Sequence, residues 1–185
     1  MHSPLQEIKH PAAATAGIKW YVKRDDLYAP SPGDPFQGNK VRKLSGLKPQ
    51  LGKANKLITF GGAFSNHLAA TAAFGLRNGL PTVGIVRGEP VENPVLDYCR
   101  NRGMSLHFVT RSAYRLKNEA TERLRYQQLL GPGLIINEGG SGLHAFTGTG
   151  EIMPEVIDQL GRAPDYFQLA AGTGGTAAGV INSVQ

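Results

Sequence analysis

Cysteine is nearly missing from this chain: Cys99 is the only one in 185 residues. A single thiol closes no internal disulfide, and neither a CxxC motif nor a zinc-binding cysteine set can be built from it. No apolar run approaches the roughly 20 residues that a membrane span needs. The opening Met1-His2-Ser3-Pro4 has no apolar stretch of the signal-peptide kind, so a cytoplasmic protein without a membrane partner is expected. Charge is modest, at 18% of residues against 41% apolar, which supports a buried core and argues against global disorder. The net charge of +6 is not gathered into one basic block. Basic and acidic residues interleave, as in Lys117-Asn118-Glu119 and Glu122-Arg123. That pattern fits a solvated surface better than a nucleic-acid face. No internal repeat is visible. A Walker A loop is absent too: between Gly46 and Gly52-Lys53 there is one residue too many, and Ala54 stands where Ser or Thr is needed.

What is present is an alternation of short apolar runs and helical patterns. Strands are expected at Leu57–Phe60, Thr82–Val86, Ser105–Val109, Leu134–Ile136 and Tyr166–Ala171. Helices are expected from Ser65 or Asn66 to Asn78, Val91 to Arg102, Ser112 to Leu130, and Thr149 to Leu160 despite Pro154. The order β-α-β-α predicts an α/β fold with parallel sheets and right-handed crossovers. In such sheets ligands bind at the carboxyl ends of the strands. Three glycine-rich turns fall there: Gly61-Gly62, Gly139-Gly140 and Gly172–Gly175. Residues before Lys56 are loop-rich, with one extended run from Ile18 to Lys23, and are expected to pack with the part after residue 160.

Four stretches carry possible chemistry. Gly172-Thr173-Gly174-Gly175-Thr176 follows an expected strand and opens a helix, so backbone N–H groups, the helix dipole and two hydroxyls can meet a phosphate. The same run fits a loose dinucleotide pattern through Ala177, and a tight turn with no ligand is the plain structural alternative. Gly61-Gly62-Ala63-Phe64-Ser65-Asn66-His67 is a second strand-to-helix turn. Ser65 or Asn66 caps a helix there, or the two offer a hydroxyl and an amide to a ligand. Lys40, after Gly38-Asn39, opens a helix that Asn39 can cap. A cation is disfavoured at a helix N-terminus, which favours the neutral amine that a Schiff base requires; the bland alternative is a solvated basic helix start. Lys23-Arg24-Asp25-Asp26 reads equally well as a buried brace for the loop before Lys40 or as a surface turn.

Together these stretches resemble one family, the pyridoxal-phosphate enzymes that include D-cysteine desulfhydrase and 1-aminocyclopropane-1-carboxylate deaminase. The anchors are Lys23-Arg24-Asp25-Asp26, Gly38-Asn39-Lys40 with Arg42-Lys43-Leu44, Gly61-Gly62 with Ser65-Asn66-His67, Gly139-Gly140-Ser141, and Gly172–Thr176. Gln37 stands where the family often has another glycine, and Leu27 where many members have cysteine. The resemblance implies a tryptophan-synthase-β-like fold of parallel three-layer α/β/α sheets. It implies that residues 1–44 begin a large domain, 45–155 form a small α/β domain, and 156–185 start the second part of the large domain. On that resemblance the remainder of that domain is expected to be missing from this sequence, and a homodimer is implied at full length.

By matching position, Lys40 would be the Schiff-base lysine and proton carrier, and Ser65 an active-site hydroxyl. Asn66 would bond the cofactor ring oxygen, and Gly172, Thr173, Gly174, Gly175 and Thr176 would hold the phosphate of pyridoxal 5'-phosphate. The implied activity is a lyase or deaminase acting on a small amino acid. D-cysteine is favoured because Ser65-Asn66-His67 and the glycine-rich loop look like those of the desulfhydrases. The alternatives are a nucleotide-binding oxidoreductase domain using Gly172–Ala177, and a non-catalytic fragment of the same fold.

Overall fold

A computed structural model describes residues 2–29, 37–172 and 174–184. Strand β1 (Leu5–Ile8), helix α1 (Pro11–Thr15) and strand β2 (Trp20–Lys23) come first, followed by α2 (Asn39–Ser45) and α3 (Lys48–Leu51). The main sheet begins with β3 (Leu57–Gly62), then α4 (Asn66–Arg77), β4 (Thr82–Arg87), α5 (Pro94–Asn101) and β5 (Met104–Val109). Next come α6 (Arg111–Arg115), α7 (Ala120–Leu130), β6 (Leu134–Ile136), α8 (Leu143–Gly150), α9 (Ile152–Leu160) and α10 (Gly175–Asn182). The main sheet runs β5-β4-β3-β6, all parallel, with Leu57 opposite Thr82 and Leu134.

The central strands are apolar on both faces because both faces are covered. On one side Leu57 meets Val41, Leu44, Ala70 and Phe74, from α2 and α4, while Val86 meets Leu68, Leu96 and Cys99, from α4 and α5. On the other side Ile58, Phe60, Val83 and Ile85 pack on Tyr114 and Tyr126, from α6 and α7. The expected three-layer α/β/α arrangement is therefore present. Each of these fully buried side chains stabilises the fold by roughly 1.5–3 kcal/mol through removal from water. A separate cluster joins Ile152, Met153 and Val156 of α9 to Val180 of α10, with Leu5 and Leu169 against it.

Several expected boundaries shift for physical reasons. The helix expected over 112–130 is two helices, α6 and α7. Tyr114 and Tyr126 both meet the Phe60 ring edge-on, at 6.3 and 5.8 Å. In one straight helix twelve residues would separate them by about 18 Å, so the chain must fold back between them. The helix expected over 149–160 breaks at Glu151. This leaves Pro154 in the first turn of α9, where its missing N–H costs nothing. The expected strand 166–171 carries no sheet pairing among the described residues, and Tyr166 is 95% exposed. A strand needs a neighbour, and the described residues offer none there. The antiparallel pair β1–β2, with Leu5 opposite Lys23, was not expected: β1 alternates too weakly to be read from sequence. The segment before Lys56 packs on several parts of the chain, Ser3 and Leu5 on α9 and α2 on α8 and α4, and contacts beyond residue 160, such as Asn39 to Thr176, are only part of this.

Candidate active site

Lys40 is the second residue of α2. Gly38, not Asn39, holds the cap position, at φ 88° and ψ −170°, a backbone state that suits glycine. Gly38 N–H donates to Tyr28 O at 2.8 Å. Released from the cap, the Asn39 amide reaches across to Thr176 Oγ1 at 3.3 Å. Lys40 Nζ donates to Gly139 O at 3.2 Å. Burial holds its ammonium below the usual lysine range, in the direction a Schiff base requires.

Three residues along, Lys43 lies on the same face of α2 and is buried. Its Nζ stands 3.1 Å from where a Cβ on Gly175 would sit. A side chain there would displace the amine, so glycine keeps the start of α10 open to it. Gly174 caps α10 at φ 75°, a left-handed state that aims its backbone into the turn. Thr149 Oγ1 fixes Gly175 O from beneath at 3.2 Å. Gly172 has open space around it, and Thr173 lies outside the described residues.

The Gly61-Gly62 turn ends β3. Ser65 caps α4, its Oγ accepting from Leu68 N–H at 3.4 Å, while Asn66 is the exposed first residue of that helix. His67 turns inward and is 2% exposed. Its Nε2 lies 2.8 Å from Thr59 Oγ1, whose hydroxyl donates to Ile136 O at 3.0 Å. The imidazole therefore donates from Nε2, and Nδ1 is left bare with no hydrogen-bond partner. Its Cε1 and Nδ1 edge lies against Gly140, whose φ of 71° suits glycine.

The structure thus joins Lys40 to Gly139, and the neighbouring Asn39 and Lys43 to Thr176 and Gly175, and it brings the start of α4 to Gly140 through His67. Sequence reading missed Lys43, His67 and His144, because only tertiary contact distinguishes them from ordinary basic residues. The electrostatics of this group are one-sided. Burial, then Lys40, Lys43 and His144, push the His67 imidazole down to about 3. Burial and then Lys40 lower Lys43, and burial and Lys43 lower His144. Among the described residues no carboxylate offsets Lys40, His67 or His144; Glu138, beside them in sequence, pairs outward with Lys117 at 3.3 Å. A cluster of basic groups facing a glycine cradle at a helix N-terminus fits an anion, and with a half-buried amine beside it, a phosphorylated aldehyde.

The Lys23–Asp26 run divides between a surface pair and inward ion pairs, while the loop it was expected to brace, residues 30–36, lies outside the described residues. Arg24 and Asp26 pair on the surface at 2.7 Å. Lys23 and Asp25 point inward, to Glu155 at 2.7 Å and to Arg42 at 2.8 Å.

Known proteins are similar to this chain over most of its length. A Pyrococcus abyssi protein provisionally named a 1-aminocyclopropane-1-carboxylate deaminase is 36% identical over 179 residues, covering 89% of this chain and 51% of its own. The mitochondrial bifunctional D-cysteine desulfhydrase/1-aminocyclopropane-1-carboxylate deaminase of Arabidopsis thaliana is 31% identical, over 89% of this chain and 44% of its own. A solved structure of an ACC deaminase homologue superposes with a TM-score of 0.78 at 26% identity, covering 100% of this chain and 56% of that one. The chain spans about half the length of these relatives. The dinucleotide-oxidoreductase alternative is not favoured. The family model described as pyridoxal-phosphate dependent enzyme matches residues 2–185, and with the lysine, the glycine cradle and the basic cluster in place, the chain belongs to that family.

Proposed function

We propose that this chain carries the cofactor-holding part of a pyridoxal-phosphate lyase or deaminase that acts on a small amino acid. The observation that carries the reading is the half-buried Lys40 amine, lowered by burial and held at Gly139, on the same helix face as the Lys43 amine at the mouth of the Gly175 cradle. Lys40 would hold the cofactor covalently, and its amine would serve to take or return a proton at the substrate's Cα or Cβ. Gly172, Thr173, Gly174, Gly175 and Thr176 hold the phosphate, with Lys43 as counter-charge. Asn66 bonds the ring oxygen. Ser65 accepts the α4 capping bond and keeps its own hydrogen to offer to substrate. When bound, the cofactor supplies an electron-withdrawing ring that stabilises negative charge on the substrate carbon.

D-cysteine is the preferred substrate on the strength of Ser65-Asn66-His67 and the Gly-Thr-Gly-Gly-Thr run. 1-Aminocyclopropane-1-carboxylate is the second reading, favoured by the names of the relatives. We assign residues 1–44 and 156–185 to a large domain and 45–155 to a small one, in a cytoplasmic protein that dimerises with a second copy when full length. The chemical assignment is tested by adding pyridoxal 5'-phosphate, reducing with borohydride and mapping peptides. The label belongs on Lys40; its appearance on another lysine instead would sink the assignment.

A further inference from the structure

Lys40 and Arg42 are two residues apart on α2, so their side chains leave opposite sides of the helix. On the Arg42 side the chain builds a closed cage. Arg42 is fully buried and both edges of its guanidinium are filled. Nε and Nη2 donate to Asp25 Oδ2 and Oδ1, each at 2.8 Å. Nη1 and Nη2 donate to Glu155 Oε1 and Oε2, again at 2.8 Å each. The Tyr28 ring covers one face, with its centroid 3.8 Å from Arg42 Cζ. Lys23 completes the group with a 2.7 Å bond to Glu155. Ser3 donates its hydroxyl to Asp25 at 2.7 Å. Two cations and two carboxylates cancel within the cage.

We propose that Arg42 is a positioning residue for Lys40: the Lys23–Asp25–Arg42–Glu155 cage behind α2 sets where the Lys40 amine stands in front of it. Helix α2 is seven residues long and its N-terminus has no side-chain cap, so its own ends do not fix it. Apolar packing alone would let so short a helix rotate or slide. Two planar forks at right distances fix both its rotation and its height, which is what a buried ion network does best. The cage also reaches four separate parts of the chain, so α2 is referenced to β2, α9 and the N-terminus together.

The bearing of the cage on catalysis rests on the reading that Lys40 carries the cofactor, but its test does not. The pKa of the Lys40 amine is measured in the cofactor-free chain by competitive chemical labelling of lysines, read by mass spectrometry. Arg42→Lys keeps the charge and loses the forks; Glu155→Gln keeps the shape and loses a charge. Both are expected to let α2 shift, expose Lys40 and raise its pKa toward the ordinary lysine value. Affinity for pyridoxal 5'-phosphate should fall about tenfold or more. Ile58→Val, in the sheet core on the face away from α2, loses stability without touching the cage and should leave both readings unchanged. If the cage variants also lower only the melting temperature, as Ile58→Val does, the proposal is overturned. Should Arg42→Lys fail to fold, Asp25→Asn at the outer edge of the cage gives the same comparison. A chain that forms no cofactor link at Lys40 refutes the cofactor reading, while the pKa comparison still decides the cage.

Discussion

His67 is kept neutral by its surroundings. Burial is the main cause, and Lys40, Lys43 and His144 add to it. The native imidazole titrates near 3, well below the ordinary histidine value of about 6.5. The unfolded chain therefore takes up a proton that the native fold refuses. Stability is complete above about pH 6.5 and falls as the pH drops below it, levelling off near pH 3. The full difference has an upper bound of roughly 5 kcal/mol. His144, also lowered, acts in the same direction. Glu155, lowered by its hydrogen bonds to Arg42 and Lys23 against its burial, loses its stabilising charge only below the ordinary carboxylate range. The interval from pH 7 to 5 thus isolates the histidines. Urea unfolding at pH 8, 7, 6 and 5 should show a steep loss for the unmodified chain and a much flatter one for His67→Gln, whose amide can still meet Thr59. Equal slopes would exclude His67 as the responsible group. None of this was legible in the sequence. Lys40 and the glycine turns announce themselves through backbone demands that few residues meet, whereas a buried histidine looks like any other until Thr59 and Gly140 are brought to it.

Between elements, the spacing of the site is set by helix α8, which lies between α2 and α10. A Cβ on Gly148 would stand 1.8 Å from Arg42 O, and one on Gly46 would stand 1.9 Å from His144 O. On the other side, a Cβ on Gly179 would meet Thr149 Oγ1 at 1.9 Å. Backbones approach this closely only where side chains are missing, so α2 and α10 are held at glycine distance from a common spacer. Gly148→Ala should push α2 away, cost about 1–3 kcal/mol as an overpacked contact does, and weaken cofactor binding alongside the fall in melting temperature. Gly52→Ala is the contrast: nothing lies within 4 Å of the added carbon, so stability should hold or rise by about 0.4–1 kcal/mol. Thermal melts of the two variants separate crowding from a general intolerance of Gly→Ala. The order of the elements could be read from the sequence because β3 and β4 are apolar runs closed by glycine or charge. Their lengths were less legible. The break between α6 and α7 answers to Phe60, distant in the chain, and the break at Glu151 to where Pro154 can sit.

At the scale of the whole molecule, the site joins parts of the chain that are far apart in sequence. Lys40 and Lys43 lie near one end, and Gly175 and Thr176 near the other, with the parallel sheet between them. A ligand that needs both ends binds the native fold and not the unfolded chain, so it raises stability by mass action, about 2.7 kcal/mol at a hundredfold excess over its dissociation constant. Pyridoxal 5'-phosphate should therefore raise the melting temperature clearly, and pyridoxal, which lacks the phosphate, much less. Lys43→Met sharpens the expectation. In the cofactor-free chain it removes a cation that sits against Lys40 and His67, and the melting temperature of that variant without ligand is the baseline. With pyridoxal 5'-phosphate the same variant should lose most of the rise, because the counter-charge at Gly175 is gone, while its small response to pyridoxal is kept. A variant that melts lower with and without ligand would mark Lys43 as a structural residue; one that loses only the phosphate-dependent part ties both ends of the chain to a single anion.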